Sequence, residues 1–172
     1  YDNFLMSHST NVCYLALLLG MKLEEYLIQQ RSSLQPAKAK DIKDLGLGCI
    51  LHDVGKMHIP AEILDKPGKL TDEEFEVIKS HPVVGHRLVK GRVPTAAAQI
   101  VLHHHQRYCG GGYPQRVGVN GESADSMAGD RIPIFCRIAT VCDVYDAATT
   151  KRCYSHAKLP GEVLHEMRTF CA

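Results

Sequence analysis

The chain has 172 residues, 45% of them hydrophobic, with 20 basic and 19 acidic side chains and a formal net charge of +1. That length supports one domain with a substantial core rather than two, so residues 1–172 are read as a single domain. The balanced charge, with no lysine/arginine-rich tract, excludes duplex DNA or a charged membrane surface as partners of this segment, and no apolar run approaches the roughly 20 residues that cross a bilayer.

Helical periodicity dominates and no stretch sustains strand alternation, so the expected fold class is all-α. The first helix is predicted from about Phe4 to Met21, with Val12, Leu15 and Leu19 on a broad apolar face and His8 in its first half. A polar connection around Ser32 to Lys40 leads to a helix whose stripe runs Ile42, Leu45, Cys49, His52, Asp53, Lys56 and is broken at Ile59-Pro60. Lys66-Pro67-Gly68-Lys69 is a turn, and Thr71-Asp72-Glu73-Glu74 predicts a capping box that opens a helix towards Ser80. Pro82 predicts a break, with a new helix from about Val83 and His81 at the stiff junction. A helix from about Thr95 carries three histidines into a glycine-rich, polar loop that lasts to about Arg131, a length that marks function or disorder. From Pro133 the spacing Ile134, Ile138, Val141, Tyr145 marks a helix bearing Asp143 and Asp146, and a last helix begins near Pro160.

The seven cysteines are an odd number, form no CxxC pair and lie mostly in apolar stretches, which fits reduced, buried thiols in a cytoplasmic protein. Cys109, in the glycine-rich loop, is the exception. No signal peptide is visible, and a chain that starts at Tyr1 is expected to be a piece of something longer.

Potential metal ligands thread these elements: His52-Asp53, then His81, His104-His105 and Asp143. Imidazole and carboxylate this dense suggest a two-metal hydrolytic centre. The adjacent His-Asp pair suits that chemistry because the imidazole binds one ion while the two oxygens of the carboxylate bridge to a second.

Taken together, His8-Ser9, HDVGK at 52–56, LDKPGKLT at 64–71, HPVVG at 81–85, HHQRYCGGGYP at 104–114 and CDVYDA at 142–147 resemble an HD-GYP domain of the HD superfamily of metal-dependent phosphohydrolases. The resemblance covers nearly the whole chain and implies a helical bundle around a binuclear centre. It assigns one ion to His8, His52, Asp53 and Asp143 and the other to Asp53, His81, His104 and His105, with Asp53 as the bridge. Some members hold a third ion with a carboxylate that falls at Phe4 here, so two ions are expected. This nitrogen-rich set is unsuited to magnesium and suits iron, manganese or zinc, with iron or manganese favoured by the resemblance.

HD-GYP domains typically hydrolyse cyclic di-GMP to the linear dinucleotide pGpG and then GMP, so the implied activity is that of a cyclic-dinucleotide phosphodiesterase in bacterial second-messenger signalling. Asp53 and Lys56 are the implied catalytic residues. Gly112, Tyr113, Pro114, Asp146 and Arg152 are the implied substrate contacts, with Tyr113 offering an aromatic face and Asp146 a place near a guanine edge. A signalling protein such as a diguanylate cyclase is a further partner that could dock through the Gly-Tyr-Pro loop. The chain departs from the pattern at Gln106 and Cys109, where supporting carboxylates are usual, and at Ser155, where a basic residue is usual. Those departures keep a second reading open, a nucleotide-binding or partner-docking module that retains metals but turns over little. His58, His86, His103, His156 and His165 match no ligand position and are read as ordinary polar or core histidines.

Overall fold

The computed structural model describes residues 2–117, 123–124, 127–150 and 157–169, the side chains of 2–5, 116–117 and 123–124 excepted. It is built from helices: α1 (Asp2–Lys22), α2 (Glu24–Gln30), α3 (Pro36–Ala39), α4 (Lys43–Leu51), α5 (Ala61–Leu64), α6 (Asp72–Lys79), α7 (His81–Val89), α8 (Thr95–His103), α9 (Ile134–Thr149) and α10 (Pro160–Thr169). The one departure from an all-α chain among the described residues is a ladder of two-residue strands, β1 (Arg116–Val117) and β2 (Ser123–Ala124), antiparallel within the long loop.

The core forms where α1 packs against α4 and α9, and α8 packs against α4. Val12 and Ala16 of α1, Leu45 and Cys49 of α4, Ile100 of α8 and Phe135, Ile138 and Cys142 of α9 make one buried cluster. The candidate ligands continue these apolar stripes by about one helical turn: His8 precedes Val12, His52 follows Cys49, His104 follows Ile100, and Asp143 follows Ala139. Residues three or four apart on a helix share a face, so packing the core also brings these polar groups together at one end of the bundle.

The helix expected to carry His52, Asp53 and Lys56 ends sooner than its stripe suggests. It stops at Leu51, and Val54–His58 winds as a 3₁₀ turn. Contact with α7 accounts for this tightening: a Cβ on Gly55 would drive into the His81 carbonyl and come 2.7 Å from the Gly85 amide nitrogen. Glycine at 55 therefore lets the His52-Asp53 backbone lie directly on the start of α7.

Helix α6 begins as expected, with the Thr71 side chain accepting from the Glu74 amide and the Glu74 carboxylate accepting from the Thr71 amide. Helix α7 starts earlier than expected, at His81 itself. Pro82 falls within its first turn, where a missing N–H breaks no helical bond, so it begins the helix instead of delaying it. On α9 the expected stripe holds at Ile134 and Ile138 but not at Val141, which is 44% exposed. Phe135, Cys142, Asp143 and Asp146 are buried as well, because α1, α8 and α10 all pack on α9.

Cys49, Cys136 and Cys142 are buried as expected, and burial pushes their thiol pKa values up, which suits inert core thiols. Cys109 is exposed, and Cys153 and Cys171 lie outside the described residues.

Gly55→Ala tests the backbone contact between the 3₁₀ turn and α7. Overpacking against main chain that cannot rotate away should destabilise the protein by about 1–3 kcal/mol, seen as a lower urea midpoint at an unchanged m-value. An unchanged midpoint would contradict the close approach.

Candidate metal centre

Four histidines and two aspartates are buried together where α1, α4, α7, α8 and α9 meet. His8, His52, His81, His104 and Asp53 are each no more than 5% exposed, and Asp143 is 9% exposed. The ligand atoms of Asp53, His81, His104 and His105 lie within 4.8 Å of one another, as do those of His8, His52 and Asp53, and those of His52, His104 and Asp143. Asp53 belongs to the first two groups. His8 Nε2 also lies 3.1 Å from Asp143 Oδ1.

Ring orientation follows from the opposite nitrogen. Nδ1 of His52 donates to the Cys49 carbonyl at 2.7 Å, Nδ1 of His81 to the Ile78 carbonyl at 2.7 Å, and Nδ1 of His104 to the Val101 and Ile100 carbonyls at 3.1 and 3.2 Å. A carbonyl can only accept, so each of these Nδ1 atoms carries the proton. Each Nε2 lone pair is then turned towards the cluster. His81 Nε2 and His104 Nε2 face each other at 3.3 Å, an arrangement of two acceptors that calls for a cation.

The electrostatics point the same way. Although burial opposes it, His52, then Lys56, holds the Asp53 carboxyl well below its usual range, and His8 and His52 do the same for Asp143. Burial drives the His104 pKa far down, helped by His105 and His52, and burial brings His105 to about 4. Burial also opposes a charge on His52, but Asp53 outweighs it and raises that pKa. Two ionised carboxylates thus lie beside the neutral imidazoles of His104 and His105, and the lysine that meets them is Lys56, whose Nζ lies 2.6 Å from Asp53 Oδ2. Nε2 of His52 and Oδ1 of Asp53 are buried with no hydrogen-bond partner among the described residues. Orphaned acceptors, facing lone pairs and two ionised carboxylates fit a divalent metal, and the nitrogen-rich donors fit a transition ion.

The loop after α8 closes one side of the site. A Cβ on Gly112 would come 2.5 Å from the Arg107 amide nitrogen and from the His105 carbonyl oxygen, so only glycine lets the loop fold back this closely. Tyr113 then stacks on the His105 ring with centroids 4.6 Å apart and planes inclined by 27°. A cleft of about 560 Å³ separates Gly112, Tyr113 and Pro114 from Glu76, Lys79 and Ser80 at the α6–α7 junction.

Of the residues anticipated from sequence, the structure brings His8, His52, Asp53, Lys56, His81, His104, His105 and Asp143 into one cluster, with Tyr113 against it. Asp146, anticipated near a guanine edge, is buried behind His8, with Oδ2 2.6 Å from His8 Nδ1. Arg152 and Ser155 lie outside the described residues.

Three contributors were missed. Gln106, read only as a lost carboxylate, is 2% exposed and donates to the Pro114 carbonyl at 2.7 Å, clipping the loop to the end of α8. Thr140 Oγ1 donates to the His104 carbonyl at 2.6 Å, fixing α9 to the same turn. Asn11 donates to Asp146 at 3.0 Å. Its place three residues after His8 was the signal available, as was that of Gln106 directly after His104-His105, whereas Thr140 carries none in the sequence.

An all-α bundle with a buried His/Asp cluster shaped for divalent ions defines the class of protein. A family model described as "HD domain" matches residues 21–170, and the chain belongs to that family. It is 34% identical over 168 residues to the cyclic di-GMP phosphodiesterase PA4108 of Pseudomonas aeruginosa, covering 96% of this chain and 35% of that protein. It is 40% identical over 121 residues to the cyclic di-GMP phosphodiesterase response regulator RpfG of Xanthomonas campestris, covering 69% of this chain and 29% of that one. The chain therefore spans about a third of the length of these relatives. Among solved structures, Bd1817, an HDG"Y"P protein from Bdellovibrio bacteriovorus, superposes with a TM-score of 0.59 at 19% identity, covering 95% of this chain and 45% of that one, a likeness of fold. No helix of the described residues is long and apolar enough to cross a membrane.

The charge pattern fixes an expected pH response of the metal-free protein. His104 and His105 have lowered pKa values, so as pH falls below about 6.5 the unfolded chain takes up protons that the folded one refuses, and stability drops. His52, with a raised pKa, opposes this as one ring against two. Asp53 and Asp143, with lowered pKa values, stabilise above the unfolded value near 4, and that contribution is lost as pH falls further. Urea midpoints measured in chelator should therefore fall from pH 7 to 5 and again below 4; a rise between pH 7 and 5 would contradict the burial of neutral imidazoles.

Proposed function

We propose that this chain is a two-metal phosphodiesterase module that hydrolyses cyclic di-GMP. The observation that carries the reading is the pair of ligand groups sharing Asp53, set beside the open cleft of the Gly-Tyr-Pro loop. Relatives named cyclic di-GMP phosphodiesterases, aligned along most of the chain, support the substrate class.

In this reading one ion is held by His8, His52, Asp53 and Asp143 and the other by Asp53, His81, His104 and His105, iron or manganese being the metals proposed. Bound ions would supply Lewis-acid polarisation of the phosphate and an activated water for in-line attack. Asp53 sits between both groups and holds their separation. Lys56, tethered to Asp53 Oδ2 with its side chain 21% exposed, offers a cation at the rim to meet the phosphate. His105 backs one face of Tyr113, leaving the ring to present its other face to a guanine across the cleft. Arg152 is proposed as a phosphate contact by its position in the motif.

The second reading, a docking or binding module with little turnover, is favoured by Gln106. Its amide is committed to the Pro114 carbonyl where a carboxylate would otherwise support the site. Calorimetry showing cyclic di-GMP binding without product would select it.

Anaerobically purified protein reconstituted with iron or manganese should hold close to two ions per chain. Asp53→Ala should lose both, while His81→Ala should keep the ion on the His8 side. Equal loss in the two variants would refute the bridging role. Tyr113→Ala should raise KM for cyclic di-GMP on the order of 10- to 100-fold with metal content unchanged, because stacking contributes about 1–3 kcal/mol per base. An unchanged KM would remove Tyr113 from the substrate site.

A further inference from the structure

Asp146 lies three residues beyond Asp143 on α9 and is 5% exposed. A carboxylate that reads a base edge needs an oxygen open to the cleft, and both oxygens of Asp146 are already engaged. Oδ2 accepts from His8 Nδ1 at 2.6 Å, while Oδ1 accepts from Asn11 Nδ2 at 3.0 Å and from Thr150 Oγ1 at 3.2 Å.

This environment separates His8 from its neighbours. His52, His81 and His104 are each oriented by a main-chain carbonyl three or four residues earlier, so their own segments set their rings. His8 is oriented by a side chain 138 residues away on another helix.

We propose that Asp146 is the positioning residue for His8, holding the proton on Nδ1 and aiming Nε2 into the metal cluster. The proposal rests on the two-ion reading above for its consequence, but not for its geometry. An ionised carboxylate behind a ligand imidazole fixes its tautomer and raises the basicity of the opposite nitrogen, and its loss typically weakens metal affinity about 10- to 100-fold. Because His8 and Asn11 both lie on α1 and both bond Asp146, the same carboxylate pins α1 to α9 beside the cluster. Occupancy of the His8-side ion therefore depends on the docking of α1. The Asp53/His81/His104/His105 group takes none of its four ligand side chains from α1.

The test compares wild type with Asp146→Asn and Asp146→Ala. Nitrogen-15 spectra of the histidine rings in metal-free protein should show a strongly downfield Nδ1 proton on His8. That signal should be weakened in Asp146→Asn and lost in Asp146→Ala, with His52, His81 and His104 unchanged. Manganese titration should show one of two ions weakened about 10- to 100-fold in Asp146→Ala, less in Asp146→Asn, and the other ion unaffected. In turnover of cyclic di-GMP, kcat should fall more than KM rises. A rise in KM alone, with both ions retained at wild-type affinity, would return Asp146 to the substrate edge and overturn the proposal; equal weakening of both ions, or disturbed His52 and His81 signals, would overturn it as general unfolding. If wild type holds no ions, the two-ion reading fails, and the ring spectra still decide: an unaltered His8 signal in Asp146→Ala refutes positioning.

Discussion

The buried carboxylate of Asp53 is the constraint around which the rest of this structure is arranged. A lone carboxylate 5% exposed at the end of a helical bundle would cost several kcal/mol in lost hydration; Lys56 at 2.6 Å offsets part of that, while His81 Nε2 at 3.2 Å and His52 Nε2 at 3.4 Å stand where a shared cation would offset the rest. Those partners come from the end of α4, the 3₁₀ turn and the start of α7, which meet because glycine at 55 lets two backbones touch. A cluster reached by such packing is continuous with the hydrophobic core, so a change in helix packing displaces its imidazoles and carboxylates as well as apolar side chains.

The imidazoles around Asp53 are prepared by two different devices. Local main-chain carbonyls set three of the rings, an arrangement that each segment carries with it. His8 instead depends on a contact between the first and the ninth helix. The orientation of three rings is thus written into short stretches of chain, whereas that of His8 exists only once α1 has docked on α9.

The loop after α8 shows how a change of residue type can shift a role without leaving the site. Gln106 occupies a buried place where a carboxylate is usual among HD-GYP domains, and it uses its amide as a donor to the Pro114 carbonyl, which a carboxylate cannot do. The result is a Tyr113 ring held flat against His105 and a cleft open on the side of Lys79 and Ser80.

The sequence by itself determined the helical class, the capping box at Thr71 and the identity of the clustered histidines and aspartates. These are legible because helix caps, apolar periodicity and dense His/Asp motifs are local patterns. It did not determine where α4 gives way to a tighter turn, that Pro82 begins α7, or that Val141 faces outward, since each depends on which helix lies against which. Tertiary structure alone decided the fate of Asp146. Its spacing from Asp143 is the same whether it faces solvent or a buried histidine, and only the position of α1 turns His8 and Asn11 onto its oxygens.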